Sequence, residues 1–162
     1  MIDLIDRVLD FVTGRQSPAA SSFDEKLEIS VAALLVEAAR MDETFDAAER
    51  TTIERLLAAK FHLKPEEAHR LVTEAEAAVH KSTQYFPFTH RVVESMDAEE
   101  RVGLIEMLWK VAYADGVLDP HEDMLVRRIA GLIYVPDRDR GVARRRALEK
   151  LAAAGISVPK PD

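Results

Sequence analysis

The strongest constraint on the fold is an ungapped internal repeat. Residues 35–56 (LVEAARMDETFDAAERTTIERL) align with residues 108–129 (LWKVAYADGVLDPHEDMLVRRI) at an offset of 73. Six of the 22 positions are identical: Leu35/Leu108, Ala39/Ala112, Asp42/Asp115, Asp46/Asp119, Glu49/Glu122 and Arg55/Arg128. Phe45/Leu118, Ile53/Val126 and Leu56/Ile129 keep their apolar character. The economical reading is a duplicated helix–loop–helix unit. A chain of 162 residues is long enough to bury one sizeable core around such a pair.

The helix before each loop is apolar on nearly every face. Between Val31 and Met41 only Glu37 and Arg40 interrupt; between Val102 and Ala114 only Gly103, Glu106 and Lys110 do. A helix apolar nearly all round is a buried one, so these two are expected side by side at the centre. Trp109 is expected to pack in that core.

Punctuation sets the remaining elements. An amphipathic helix is predicted over 2–13, stopped by Gly14, and 14–22 reads as a linker. Ser22 with Glu25 opens a helix to about 41, Asp46 with Glu49 one to about 60, and Pro65 one over 65–81. A break at 83–87 precedes a short helix over 88–95. Asp97 with Glu100 opens a helix to about 114, Asp119-Pro120 one to about 134, and Pro136-Asp137 a basic one that Gly155 closes. The expected fold is all-α, a bundle of seven or eight helices built from two pseudo-symmetric helix–loop–helix repeats, without strands. The expected organisation is an amphipathic helix and linker over 1–22, the helical domain over 23–154, and a frayed tail over 155–162.

Composition narrows the function classes. No run approaches the length of a membrane span, and the start MIDLID lacks the basic segment of a secretory signal. Without cysteine there are no disulfides, no thiol catalysis and no cysteine-ligated zinc or iron–sulfur centre. The net charge of -7 makes nucleic acid a poor partner. That charge is uneven: residues 1–123 hold 25 acidic and 13 basic side chains, whereas 124–160 hold 3 acidic and 9 basic. The basic run Arg138, Arg140, Arg144, Arg145, Arg146 has no interleaved aromatics, and reads as a solvated face or one docking on the acidic body. The five histidines form no ligand set, and neither a Gly-rich phosphate loop nor a G-x-S-x-G context occurs.

What remains is the pattern Asp-x-x-x-Asp-x-x-Glu, once as Asp42, Asp46, Glu49 and once as Asp115, Asp119, Glu122. Helix caps explain Asp46/Glu49 and Asp119/Glu122 with no ligand. They do not explain Asp42 and Asp115, each of which faces the negative end of a helix dipole. Asp115-Gly116 could be a turn, but Asp42-Glu43 has no glycine. A disfavoured carboxylate that recurs beside two more suggests a cation nearby: Arg55/Arg128, another side chain, or a metal. Oxygen-only donors suit calcium or magnesium, although the spacing is not that of an EF-hand.

The segment ADGVLDPHE after Tyr113, with its diverged copy ARMDETFDAAE from Ala39, resembles the signature of the TerB-like family, named for tellurite resistance. The resemblance covers roughly 25–150 and departs from the pattern at Glu43, where the family has glycine. It implies an all-helical domain of two repeats whose acidic residues, here Asp42, Asp46, Glu49, Asp115, Asp119 and Glu122, cluster as a divalent-cation site. The family includes a domain of a membrane-anchored DnaJ-type co-chaperone, but no His-Pro-Asp motif follows here. Tellurite is an anion that a carboxylate cluster repels, so direct binding at these loops is not expected. The resemblance implies a non-enzymatic cytoplasmic protein, acting through other proteins of a stress-response or membrane-associated complex and reaching the inner membrane only through them. A homodimer is one arrangement open to it. The alternatives are a metal-independent scaffold whose carboxylates are caps and salt bridges, and, more remotely, a metal-assisted hydrolase.

Overall fold

A computed structural model describes residues 25–40, 46–81, 86–114, 118 and 120–159. Seven helices follow in order: α1 Glu25–Ala39, α2 Ala47–Phe61, α3 Pro65–Lys81, α4 Phe86–Ser95, α5 Ala98–Ala112, α6 Pro120–Leu132 and α7 Asp137–Ala153. The described residues contain no strand. The helix and linker expected over 1–22 lie outside them.

The two apolar helices take the centre. α1 is packed by α2, α3, α4, α5 and α6, and α5 by α1, α2, α6 and α7. Val31 to Val36 are wholly inaccessible, as are Leu104, Ile105 and Leu108. The surrounding helices bury one stripe each: α3 turns in Ala68, Leu71, Val72, Ala75 and Val79, and α7 turns in Ala143, Ala147, Leu148 and Leu151. That three- and four-residue spacing keeps apolar side chains on one face while the opposite face stays polar.

Helix starts follow their caps. Asp97 accepts from the Glu100 amide at 2.8 Å, and the Glu100 carboxylate accepts from the Asp97 amide at 3.2 Å, a reciprocal capping box. Pro65 is the first residue of α3, where its missing N–H costs nothing. α4 starts two residues before the expected position, because Pro87 sits in its first turn instead of interrupting it.

Three helix ends share one stop. At α7, Gly155 (φ +86°) donates to Ala152 O at 3.0 Å and Ile156 to Leu151 O at 3.0 Å. At α6, Tyr134 donates to Gly131 O at 3.3 Å and Val135 to Ala130 O at 2.9 Å; at α2, Leu63 donates to Ala58 O at 3.0 Å. A left-handed residue thus turns the chain while the last carbonyls stay satisfied. After Gly155, Ile156 and Val158 pack half-buried against the core.

The basic helix docks on the body. Lys150 Nζ meets Glu106 Oε2 at 2.7 Å, and Lys110 meets the same oxygen at 3.2 Å. Arg101 on α5 donates to Ile133 O at 3.0 Å, capping a carbonyl at the end of α6.

Candidate functional site

The first acidic loop leads into α2 through Asp46. Its extended backbone (φ -85°, ψ 172°) lets Oδ1 accept from the Glu49 amide at 2.8 Å, which satisfies a first-turn donor. Asp46 is exposed and Glu49 half-buried. In the second copy Glu122 occupies the first turn of α6, yet it is only 6% exposed. The two glutamates that match in sequence therefore differ in burial. A carboxylate withdrawn from water needs compensating partners, and the positive end of α6 supplies part of that compensation.

Asp42, Asp115 and Asp119 lie outside the described residues. Asp46, Glu49 and Glu122 are not gathered into a metal-holding group, and no cluster of three His, Asp or Glu with that capacity occurs among the described residues. Arg55 and Arg128, considered above as counter-ions, are exposed.

A cleft of about 520 Å³ opens between α5 and the N-terminal parts of α6 and α7. Trp109, Leu118 and Pro120 supply its apolar wall, and Arg127, Arg140 and Arg144 its basic one. Two of the arginines are paired within the cleft: Arg127 Nε with Asp123 at 3.0 Å, and Arg140 with Asp137 at 2.9 Å. Arg144 instead directs Nε and Nη2 at the Tyr113 hydroxyl, at 3.1 and 3.0 Å. Tyr113 is buried and stacks in a tilted arrangement on Trp109, with ring centroids 5.9 Å apart. Trp109 is 2% exposed, as expected of a core residue, but its indole Nε1 has no hydrogen-bond partner.

Arg144 and Tyr113 were not identified as partners from the sequence, since 31 residues separate them. The only available signal was an arginine inside an otherwise uniform basic run. The histidines are all exposed: His69 Nδ1 lies 2.7 Å from Glu54 Oε1, and His62 provides the left-handed stop of α2. A second polar network joins α2 to α3, with Arg50 paired to Glu76 and donating to His69 O at 3.0 Å and Thr73 Oγ1 at 2.7 Å. No helix among the described residues is long and apolar enough to cross a membrane.

Comparison with known proteins adds one finding. Residues 28–145 match the family model described as Tellurite resistance protein TerB. No curated protein and no solved structure matches the chain significantly.

Proposed function

The chain belongs to the TerB family, and on that premise we propose that it is a non-enzymatic tellurite- and stress-resistance protein that binds a divalent cation through its acidic loops and acts through protein contacts. The carboxylate pattern that recurs at Asp42, Asp46, Glu49 and at Asp115, Asp119, Glu122 carries the reading. Asp46, Glu49 and Glu122 do not make a cage by themselves. The cation would be held by them together with Asp42, Asp115 and Asp119. All six donors are hard oxygens, which suits calcium or magnesium. A bound ion would neutralise the crowded carboxylates and change the charge of the surface that a protein partner meets. Hydrolysis would further need an open coordination position and a base. The partners would be proteins of a stress-response or membrane-associated complex in the cytoplasm.

Calorimetric titration with calcium and magnesium tests this reading, alongside thermal melting with and without each ion. Binding heat and a raised melting temperature are expected, and both should disappear in the double variant Asp42→Asn/Asp115→Asn. Absence of heat and of any thermal shift at millimolar ion would refute it.

The hydrogen bond from the Glu49 amide to Asp46 at 2.8 Å favours a second reading, in which the carboxylates only cap helices and the protein is a metal-independent scaffold. It expects the same melting temperature with or without ion, in the parent and the double variant alike.

A further inference from the structure

We propose that the cleft between α5 and the N-terminal ends of α6 and α7 binds the phosphate group of a small molecule. The proposal concerns side chains other than the carboxylates of the cation reading.

Charge is the first argument. Among the described residues three arginines and two aspartates line the cleft, and the two aspartates are matched to Arg127 and Arg140. Arg144 is left with a neutral phenol as its partner. A guanidinium held half-buried by a neutral hydroxyl keeps its full charge and its planar fork of donors, the geometry that suits an oxyanion. The two helix N-termini that border the cleft add partial positive charge of the same sign.

Size and lining argue for an organic phosphate over a bare ion. A volume of about 520 Å³ lies in the range of small-molecule sites, and Leu118 and Pro120 offer apolar contact beside the basic wall.

Trp109 is the chain's single tryptophan, which makes its emission a reporter located in the wall. The experiment titrates the full chain with inorganic phosphate and, separately, with ribose 5-phosphate, against sodium chloride of matched ionic strength. A saturable change in emission is expected with phosphate and not with chloride, confirmed by calorimetry. Tighter binding of ribose 5-phosphate would assign the apolar wall to the organic part; equal affinity would make the phosphate group the whole ligand. Arg144→Gln should weaken binding by about tenfold or more. Arg127→Gln, at a side chain 59% exposed, should weaken it several-fold without changing the melting temperature, and decides the matter if Arg144→Gln does not fold. No saturable response to either probe, or affinities unchanged in the folded variants, would overturn the proposal.

Discussion

Lys150 Nζ lies 2.7 Å from Glu106 Oε2 and joins two helices across 44 positions of sequence. Burial pushes the Glu106 carboxyl upward, but the hydrogen bonds and charges of Lys150 and Lys110 outweigh it and hold the group below its ordinary value. A carboxylate depressed in the folded state contributes stability above its unfolded pKa, and loses it as pH falls through the folded value. Lys150 is 60% exposed, so solvent screening keeps the contribution small. Lys150→Met is expected to cost about 0.5–1 kcal/mol at neutral pH. The deficit should shrink as the pH falls below the ordinary carboxylate range and Glu106 becomes protonated. Urea unfolding of both at neutral and acid pH measures it.

Glu37, on the other central helix, should behave in the opposite sense. Burial raises its carboxyl above the ordinary value, and the charges of Arg40 and His80 offset this only in part. A group raised in the folded state contributes its stability below the unfolded pKa and loses it as pH rises through the folded one. Ionising Glu37 therefore works against its partial burial. Glu37→Gln should raise the melting temperature at pH 7 and give no gain below about pH 4. A melt series across that interval decides it, and an equal gain at every pH would contradict the account.

Tyr134 ends α6 at φ +60°, where a side chain is strained, and it is 74% exposed. Little packing is lost on removing it. Glycine at this stop is expected to stabilise the protein by about 0.5–1 kcal/mol. His62, at φ +55° on the end of α2, should respond in the same direction. Chemical unfolding of Tyr134→Gly and His62→Gly measures both. A loss of stability in each would show that these side chains make contacts worth more than the strain.

The same helix ends show what the sequence could and could not reveal. Starts were legible because each carries its own chemistry: Asp46, Asp97 and Pro65 mark α2, α5 and α3 within a residue. Ends expected near 114 and 134 fall at 112 and 132, since the final turns tighten, as in Ala114 N to Val111 O at 3.2 Å. Hydrophobic periodicity runs past that change, because Tyr113 and Ile133 stay buried on the same face. Burial of the two central helices was legible from their composition. The cleft was not, for Trp109, Leu118 and Arg144 belong to separate parts of the chain and meet only through tertiary packing. Of the acidic pattern, the cap at Asp46 was readable from its spacing to Glu49, whereas the burial of Glu122 depends on how α6 sits against the core.

Asp46 provides the means to separate a cap from a ligand. Serine caps a helix about as well as aspartate but carries no charge, whereas alanine does neither. Asp46→Ser should therefore keep the ion-free stability within about 0.5 kcal/mol of the parent, and Asp46→Ala should lower it by about 1 kcal/mol. If the carboxylate also holds a cation, both variants lose calcium-dependent stabilisation to the same degree, since the ion responds to charge and not to the cap. Asp97 is the control: it accepts from its N3 amide at the same 2.8 Å, but belongs to neither acidic loop. Asp97→Ala should cost a similar amount and leave the calcium response intact. Thermal melts of the four proteins with and without calcium read out the comparison. A calcium response that survives Asp46→Ser unchanged would remove Asp46 from the ligand set.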